Sequence, residues 1–178
     1  MQFRYSPARR LVHWTSALLV AVAFATIWGR EAFDDPTDRL FWLQWHRLAG
    51  LTTLVVTALR LAMRLTDGRA PSPGGTTRLE TLAAAFVHDG LVAALIVQPM
   101  LGWAYTSAKG RALDLFGLLQ LPALMGKDPA WADRLGAAHQ ILGYLILAGA
   151  ALHVAAALYH AVWRRDGVLT RMTFSRTV

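Results

Sequence analysis

Four long apolar runs constrain this chain more than any other feature of its sequence. They lie at about 9–29, 40–64, 80–105 and 135–163, and each contains few charged residues. A helix needs about 20 mainly apolar residues to cross the hydrocarbon core of a bilayer. The runs therefore predict four transmembrane helices. With no separate soluble segment between them, they predict an all-α, integral membrane four-helix bundle that forms one domain over residues 1–178.

The composition agrees with a membrane protein. Hydrophobic residues make up 55% of the 178 residues and charged residues 16%, whereas soluble domains have roughly 25% charged residues. The chain has no cysteine. Disulfides, iron–sulfur clusters and thiolate zinc sites are therefore excluded.

The basic residues are distributed unevenly between the two sides of the predicted bundle. The net charge is +7, and if both termini are cytoplasmic, that side carries 11 of the 18 Lys and Arg residues. This asymmetry predicts cytoplasmic termini by the positive-inside rule, and it explains the basic charge without nucleic acid. The 11 residues are Arg4, Arg9, Arg10, Arg60, Arg64, Arg69, Arg78, Arg164, Arg165, Arg171 and Arg176.

Two connections between the runs are long enough to note. Thr66–Thr77 is rich in Gly and Pro and is predicted to be a loop. A longer loop, Ser107–Asp133, joins the third and fourth runs. Within it, Leu113–Leu124 is apolar but too short to span a bilayer, so we expect it at the membrane interface.

All six histidines lie within or at the ends of the predicted spans. They are His13, His46, His88, His139, His153 and His160. Ionisable side chains are rare inside membranes and indicate functional sites by default. One such histidine is equally well explained by a hydrogen bond to a neighbouring helix, but six on four helices favour a shared function.

The spacing of the histidines predicts two pairs. His139 and His153 are 14 residues apart, which places them within about 40° of one helix face and about 21 Å apart along the axis. His46 begins the second run at the level of His139, on the outer side. His13 begins the first run nearer His153, on the inner side, although depth alone also allows His88 as the partner of His153.

Two separated histidine pairs are typical of bis-histidine haem ligation. Such ligation suits electron transfer because the protein fills both axial positions of the iron. Zinc more commonly has four clustered ligands that include Cys or carboxylate. The sequence also lacks a Cys-x-x-Cys-His attachment motif, so the haems are expected to be held non-covalently.

Glycines follow both outer histidines at the same distance. Gly50 lies four residues after His46, and Gly143 lies four residues after His139. Residues four apart share one helix face, so a glycine there leaves room for a flat macrocycle. Close helix packing through small residues is the other interpretation; beside a histidine in both helices, the first is favoured.

The chain resembles the bacterial cytochrome b561 family of small di-haem membrane cytochromes over nearly its whole length. The likeness is carried by Tyr5-Ser6 ahead of His13-Trp14, His46 followed by Arg60-Leu-Ala-Met-Arg64, Pro99-Met-Leu-Gly102, the spacing from His139 to His153, and the basic tail after Trp163. The resemblance implies two haems b. It implies His46 and His139 as the iron ligands of the outer haem, and His13 and His153 as those of the inner haem.

The resemblance also implies an activity. Members of this family exchange electrons with membrane quinone, and some oxidise superoxide at the outer face and reduce ubiquinone. The expected function is therefore that of a superoxide:ubiquinone oxidoreductase in the bacterial inner (plasma) membrane. Its expected partners are lipid, quinone and superoxide, with ubiquinone as electron acceptor and no nucleic acid.

His88 and His160 remain outside the four-ligand scheme. His160 lies about 10 Å beyond His153 along the helix, and His88 enters from the third run on the same side. Neutral histidine donates hydrogen bonds and relays protons near neutral pH, so both are predicted quinone-site residues. The alternative is an interfacial His160 at a frayed helix end and an interhelical hydrogen bond from His88. Asp89 is expected to feed protons or to pair with an arginine such as Arg64 or Arg78.

Two other functions stay open at the level of sequence. One is a cytochrome b electron-transfer subunit of a hydrogenase or dehydrogenase complex, with no substrate pocket of its own. The other is a non-redox membrane protein, such as a transporter, whose histidines serve protons or metals. A visible absorption spectrum separates this last function from the first two, and capture of a large partner favours the subunit.

Overall fold

The structure, a computed structural model, describes residues 3–68, 71 and 74–174. Its main elements are four helices: α1 (Pro7–Glu31), α2 (Pro36–Asp67), α3 (Arg78–Ala108) and α4 (Pro129–Tyr159), the last continued by a π-helical turn, His160–Arg164. All four are long and apolar enough to cross a bilayer. The prediction of an all-α membrane four-helix bundle is therefore confirmed, and each helix encloses one predicted run.

The helices begin earlier than the apolar runs because polar capping residues precede them. Ser6, Asp35 and Asp128 each accept a backbone N–H of the first turn and are each followed by proline at the first helical position, which is the usual arrangement at helix starts. Thr77 and Glu80 form a capping box at the start of α3. Hydropathy alone does not detect these polar starts. For this reason the fourth span is predicted from residue 135, whereas α4 begins at Pro129.

The helices pack as two antiparallel pairs. α1 lies closely against α2 and α3 against α4, whereas α2 and α3 touch less extensively and α1 has almost no close backbone contact with α4. Glycines bring the second pair together, because a Cβ at Gly136 would lie 2.9 Å from the Tyr105 ring and one at Gly149 would lie 3.2 Å from Leu91. The two pairs therefore pack more loosely against each other than the helices within each pair do.

Small polar residues, rather than large apolar ones, occupy much of the helix contacts. Ser16, Thr26 and Thr53 are buried, and each hydroxyl donates to a carbonyl one turn back in its own helix. Large side chains such as Leu11, Leu18 and Phe86 are exposed. This distribution suits a bilayer, where lipid solvates the apolar exterior and small residues let helices approach.

The connection between α3 and α4 forms a short hairpin that the sequence did not predict. The predicted loop Ser107–Asp133 is shorter in the structure, because α3 continues to Ala108 and α4 starts at Pro129. Strands β1 (Leu113–Leu115) and β2 (Leu119–Leu121) pair antiparallel within it. The Gln44 side chain of α2 donates to the Asp114 carboxylate at 3.0 Å, which fastens the hairpin over this end of the bundle.

The segment after α4 folds back onto the start of α1. It contains a 3₁₀ turn, Leu169–Arg171. The indole of Trp14 donates to the Met172 carbonyl at 2.9 Å, and Arg10 donates to the Thr173 carbonyl at 2.8 Å. Arg69 and Arg176 of the charge count, and part of the predicted loop Thr66–Thr77, lie outside the described residues.

The close approach at Gly136 gives a test of the α3–α4 contact. Gly136→Ala should lower the free energy of unfolding by about 1–2 kcal/mol, because the added methyl would overlap the Tyr105 ring. The matched control is Gly90→Ala, whose Cβ meets no atom within 4 Å, and which should leave stability equal or slightly higher. Thermal unfolding in detergent, followed by circular dichroism, measures both. Equal stabilities would contradict the packing described here.

Candidate functional site

Two histidines oppose each other at the end of the bundle where α2 and α4 begin, called here the His46 end. His46 of α2 and His139 of α4 are both half-buried. Their ring centroids lie 6.1 Å apart. The structure therefore brings this predicted pair together from two different helices.

Backbone carbonyls fix the orientation of both rings. His46 Nδ1 lies 2.8 Å from the Ala23 carbonyl oxygen of α1, and His139 Nδ1 lies 3.1 Å from the Gln98 carbonyl oxygen of α3. Since a carbonyl oxygen only accepts, each Nδ1 carries the proton and donates. Each Nε2 is left with its lone pair, which is the arrangement of a metal-binding histidine.

Gln98 and Gly102 hold His139 from the side of α3. Besides its carbonyl, Gln98 uses its side-chain amide, which donates to the His139 carbonyl at 2.9 Å. A Cβ at Gly102 would lie 3.1 Å from His139 Cε1, so only glycine lets the ring approach this closely. The Pro99–Gly102 motif of the sequence thus lies against a candidate ligand.

At the opposite end, called the His13 end, the His153 ring of α4 has two histidine neighbours. Its centroid lies 6.1 Å from that of His13 in α1 and 5.0 Å from that of His88 in α3. A metal–nitrogen distance of about 2.0 Å and about 1.1 Å from nitrogen to ring centre place two axial imidazoles about 6 Å apart. The separation to His13 fits an iron between the rings, whereas that to His88 is too short. His13 is therefore the favoured partner, and the assignment stays a prediction.

The surroundings of the rings also accommodate a macrocycle. A Cβ at the half-buried Gly50 would meet no atom within 4 Å, as expected for a position that leaves room beside His46. Gly143 differs, because a Cβ there would lie 3.3 Å from the Gln98 amide nitrogen, which agrees with the close-packing interpretation. Within the described ranges, no three His, Cys, Asp or Glu side chains cluster as a metal site.

The residues predicted for a quinone site lie apart from one another. His88 is exposed and contacts the His153 ring, whereas His160 lies in the π-helical turn and its Nδ1 is 2.6 Å from the Asp166 carboxylate. The neighbouring Asp89 pairs with Arg64 at 2.5 Å, one of the two partners expected for it.

A groove of about 550 Å³ opens between α2 and α3 at the His13 end. The Arg64–Asp89 pair lies at its polar side, and apolar residues such as Leu61 and Ile96 line the rest. Neither His88 nor His160 lines this groove. Their predicted role therefore depends on their position near the His13–His153 pair and not on this groove.

Sequence reasoning missed the residues that orient the histidines. Gln98 is a polar amide within the third apolar run, and this polarity is a sequence feature that could have indicated its role. Asp166 lies outside any span, and nothing in the local sequence indicates that it contacts His160. The Ala23 carbonyl has no side-chain signal at all, since any residue supplies one.

Comparison with known proteins agrees with these features. Residues 4–175 match the family model described as prokaryotic cytochrome b561. Cytochrome b561 homolog 2 of Escherichia coli (strain K12) is 28% identical over 178 residues, which cover 95% of this chain and 90% of that protein. Probable superoxide oxidase CybB of Yersinia pestis is 28% identical over 176 residues, 97% of each chain. Cytochrome b561 homolog 1 of Escherichia coli (strain K12) is 25% identical over 174 residues, 95% of this chain and 96% of that protein.

The histidine pairs give a direct test by haem content. His46→Ala and His139→Ala should each lose the same haem, and His13→Ala and His153→Ala the other, because an iron deprived of one axial imidazole is released. His88→Ala is the matched control and should keep the full content. The haem-to-protein ratio, measured as the pyridine complex, should be near two for the unmodified chain and near one for each ligand variant.

Two results would contradict this scheme. A ratio near one in the unmodified protein would remove one of the two sites. Loss of haem in His88→Ala with retention in His13→Ala would make His88 the ligand opposite His153.

Proposed function

Because the chain belongs to the prokaryotic cytochrome b561 family, we propose that this membrane electron-transfer protein holds two haems b and passes electrons from the outer face to the quinone pool. Family membership implies haem b, and the two histidine pairs support the number two. The observation that carries the proposal is the pattern on α4. His139 and His153 lie about 21 Å apart along one helix, and each faces a histidine of another helix at 6.1 Å.

The chain's own residues determine how such haems would be held. His46 with His139, and His13 with His153, would each hold one haem iron, and a pair of histidine ligands favours electron transfer over oxygen binding. When bound, haem supplies reversible one-electron chemistry. The carbonyls of Ala23 and Gln98 keep two of the imidazoles oriented for ligation.

Superoxide is the proposed electron donor at the His46 end. The Yersinia pestis relative is named a probable superoxide oxidase. Arg47 directly follows His46 in α2 and reaches the Asp114 carbonyl oxygen at 3.4 Å, and Arg30 lies in the last turn of α1. Cations beside a redox site attract an anion, although Arg30 is itself paired with Glu31 at 2.5 Å.

The proposed reaction transfers two electrons from superoxide to ubiquinone. Two superoxide anions each lose one electron and leave as O₂. One ubiquinone takes up the two electrons, together with two protons from the cytoplasmic side, and leaves as ubiquinol. His88 and His160 are the proposed quinone-site residues, because their imidazoles can donate hydrogen bonds and protons near the His13–His153 pair.

The donor and acceptor are tested with the purified holoprotein. Enzymatically generated superoxide should reduce the haems, which is followed by their absorbance bands. Added ubiquinone should then re-oxidise the haems and form a stoichiometric amount of ubiquinol. The control adds superoxide dismutase, which should abolish the signal. If superoxide leaves the haems oxidised while a short-chain ubiquinol reduces them, superoxide is not the donor and the electron-transfer-subunit function is favoured instead.

The proposed orientation places both termini in the cytoplasm of a bacterial inner membrane. It is supported by the 11 to 7 division of basic residues. A reporter that is active only in the cytoplasm, fused after Val178, should therefore give signal. The matched fusion uses a reporter active only in the periplasm, and activity from that fusion would reverse the assignment of the two ends.

A further inference from the structure

The chain reverses direction directly after α4 and returns a carboxylate to His160. The helix ends in the π-helical turn His160–Arg164, and Arg165 then adopts a left-handed conformation with φ of 48°. This reversal places Asp166 Oδ2 at 2.6 Å from His160 Nδ1. Both side chains are largely buried, with 21% of His160 and 16% of Asp166 exposed.

The Asp166 carboxylate is held from several sides. Its Oδ1 accepts the Val168 backbone N–H at 3.2 Å, so that Oδ2 serves His160. Arg164 Nε lies 3.8 Å from Oδ2, and the same guanidinium pairs with Glu80 of α3 at 2.6 Å. Burial raises the pKa of the Asp166 carboxyl, but the hydrogen bonds from His160 and Val168 outweigh it and the net pKa is lowered. Asp166 is therefore ionised at neutral pH.

An ionised carboxylate at Nδ1 fixes the tautomer of the imidazole. Since the carboxylate only accepts, His160 keeps its Nδ1 proton, and Nε2 is the nitrogen that gains and loses a proton. Within the described residues, Nε2 has no hydrogen-bond partner. The same ring contacts Tyr159, with ring centroids 5.9 Å apart. The charged groups beside it are Asp166, then Arg164 next to Asp166, and Glu80 paired with Arg164.

We propose that Asp166 is a positioning residue for proton delivery, holding His160 so that its Nε2 gives protons to the quinone at the His13 end. This inference rests on the proposed quinone reduction. In it, doubly protonated His160 releases the Nε2 proton to a quinone carbonyl oxygen and becomes neutral, with the Nδ1 proton still on the bond to Asp166. A water on the cytoplasmic side then returns a proton to Nε2, and a second transfer completes the two protons that accompany the two electrons from the donor.

The experiment isolates proton delivery from the identity of the outer donor. Purified holoprotein is reduced with stoichiometric dithionite and mixed with a short-chain ubiquinone, and haem re-oxidation is followed over a pH series. The rate should fall as pH rises, because protonated His160 is the proton source. Asp166→Asn should slow re-oxidation about tenfold and change its pH profile, since a neutral amide holds the imidazole less firmly than the carboxylate at 2.6 Å does.

Companion variants separate positioning from a merely structural role. His160→Gln should give a slow rate without this pH dependence, and adding Asp166→Asn to it should cause no further loss, because the two residues act as one unit. Asp166→Glu keeps the charge and should retain the wild-type pH profile at a reduced rate. Glu80→Gln removes the other carboxylate on Arg164 without touching His160, and should keep the wild-type profile. All variants should keep full haem content.

Each negative result contradicts a different part of the proposal. If reduced wild-type protein is not re-oxidised by quinone at any pH, the proposed function itself is wrong. If it is re-oxidised but Asp166→Asn retains the wild-type profile, or Glu80→Gln changes it equally, the positioning role is wrong. If Asp166→Asn does not load haem, the test passes to Asp166→Glu. A slow, pH-independent re-oxidation of Asp166→Glu, like that expected of His160→Gln, would overturn the proposal.

Discussion

The separation of 6.1 Å between opposing imidazoles is the constraint on which the rest of the bundle depends. These imidazoles face each other across the two helix pairs, His46 opposite His139 and His13 opposite His153. The bundle closes as two tight pairs, α1 with α2 and α3 with α4, and packs more loosely between them. Looser packing between the pairs reduces the van der Waals contact that drives helix association in a bilayer. Bound macrocycles would restore the lost contact, and Gly50 leaves room for one.

A histidine in this setting is stabilised when one nitrogen is hydrogen-bonded and the other is left to bind a metal; among the described residues, the buried Nδ1 of His13 lacks such a partner. An unpaired polar group in an apolar medium is costly, and water is scarce between the helices. The carbonyls of Ala23 and Gln98 meet this need for His46 and His139. They come from α1 and α3, helices that carry neither of these two histidines, so the site at the His46 end draws on all four helices.

The parts of the fold that depend on one helix at a time could be predicted from the sequence. The spans follow from apolar length, and the relation of His139 to His153 follows from helical periodicity. Contacts between helices could not be predicted in the same way. Periodicity gives the face on which Gln98 lies, but only packing against α4 reveals its two bonds to His139. The β-hairpin and the contact of Asp166 with His160 likewise depend on turns whose geometry is set by tertiary structure.

The two ends of the bundle hold their histidines with different chemistry. At the His46 end, the partners of Nδ1 are backbone carbonyls, which accept a hydrogen bond from the ring. At the other end, the Nδ1 of His160 instead contacts a side chain, the Asp166 carboxylate. Fixed acceptors suit a site that passes electrons alone, whereas titratable pairs suit a site where protons accompany them. This difference agrees with the proposed quinone site at the end where α4 closes on Asp166.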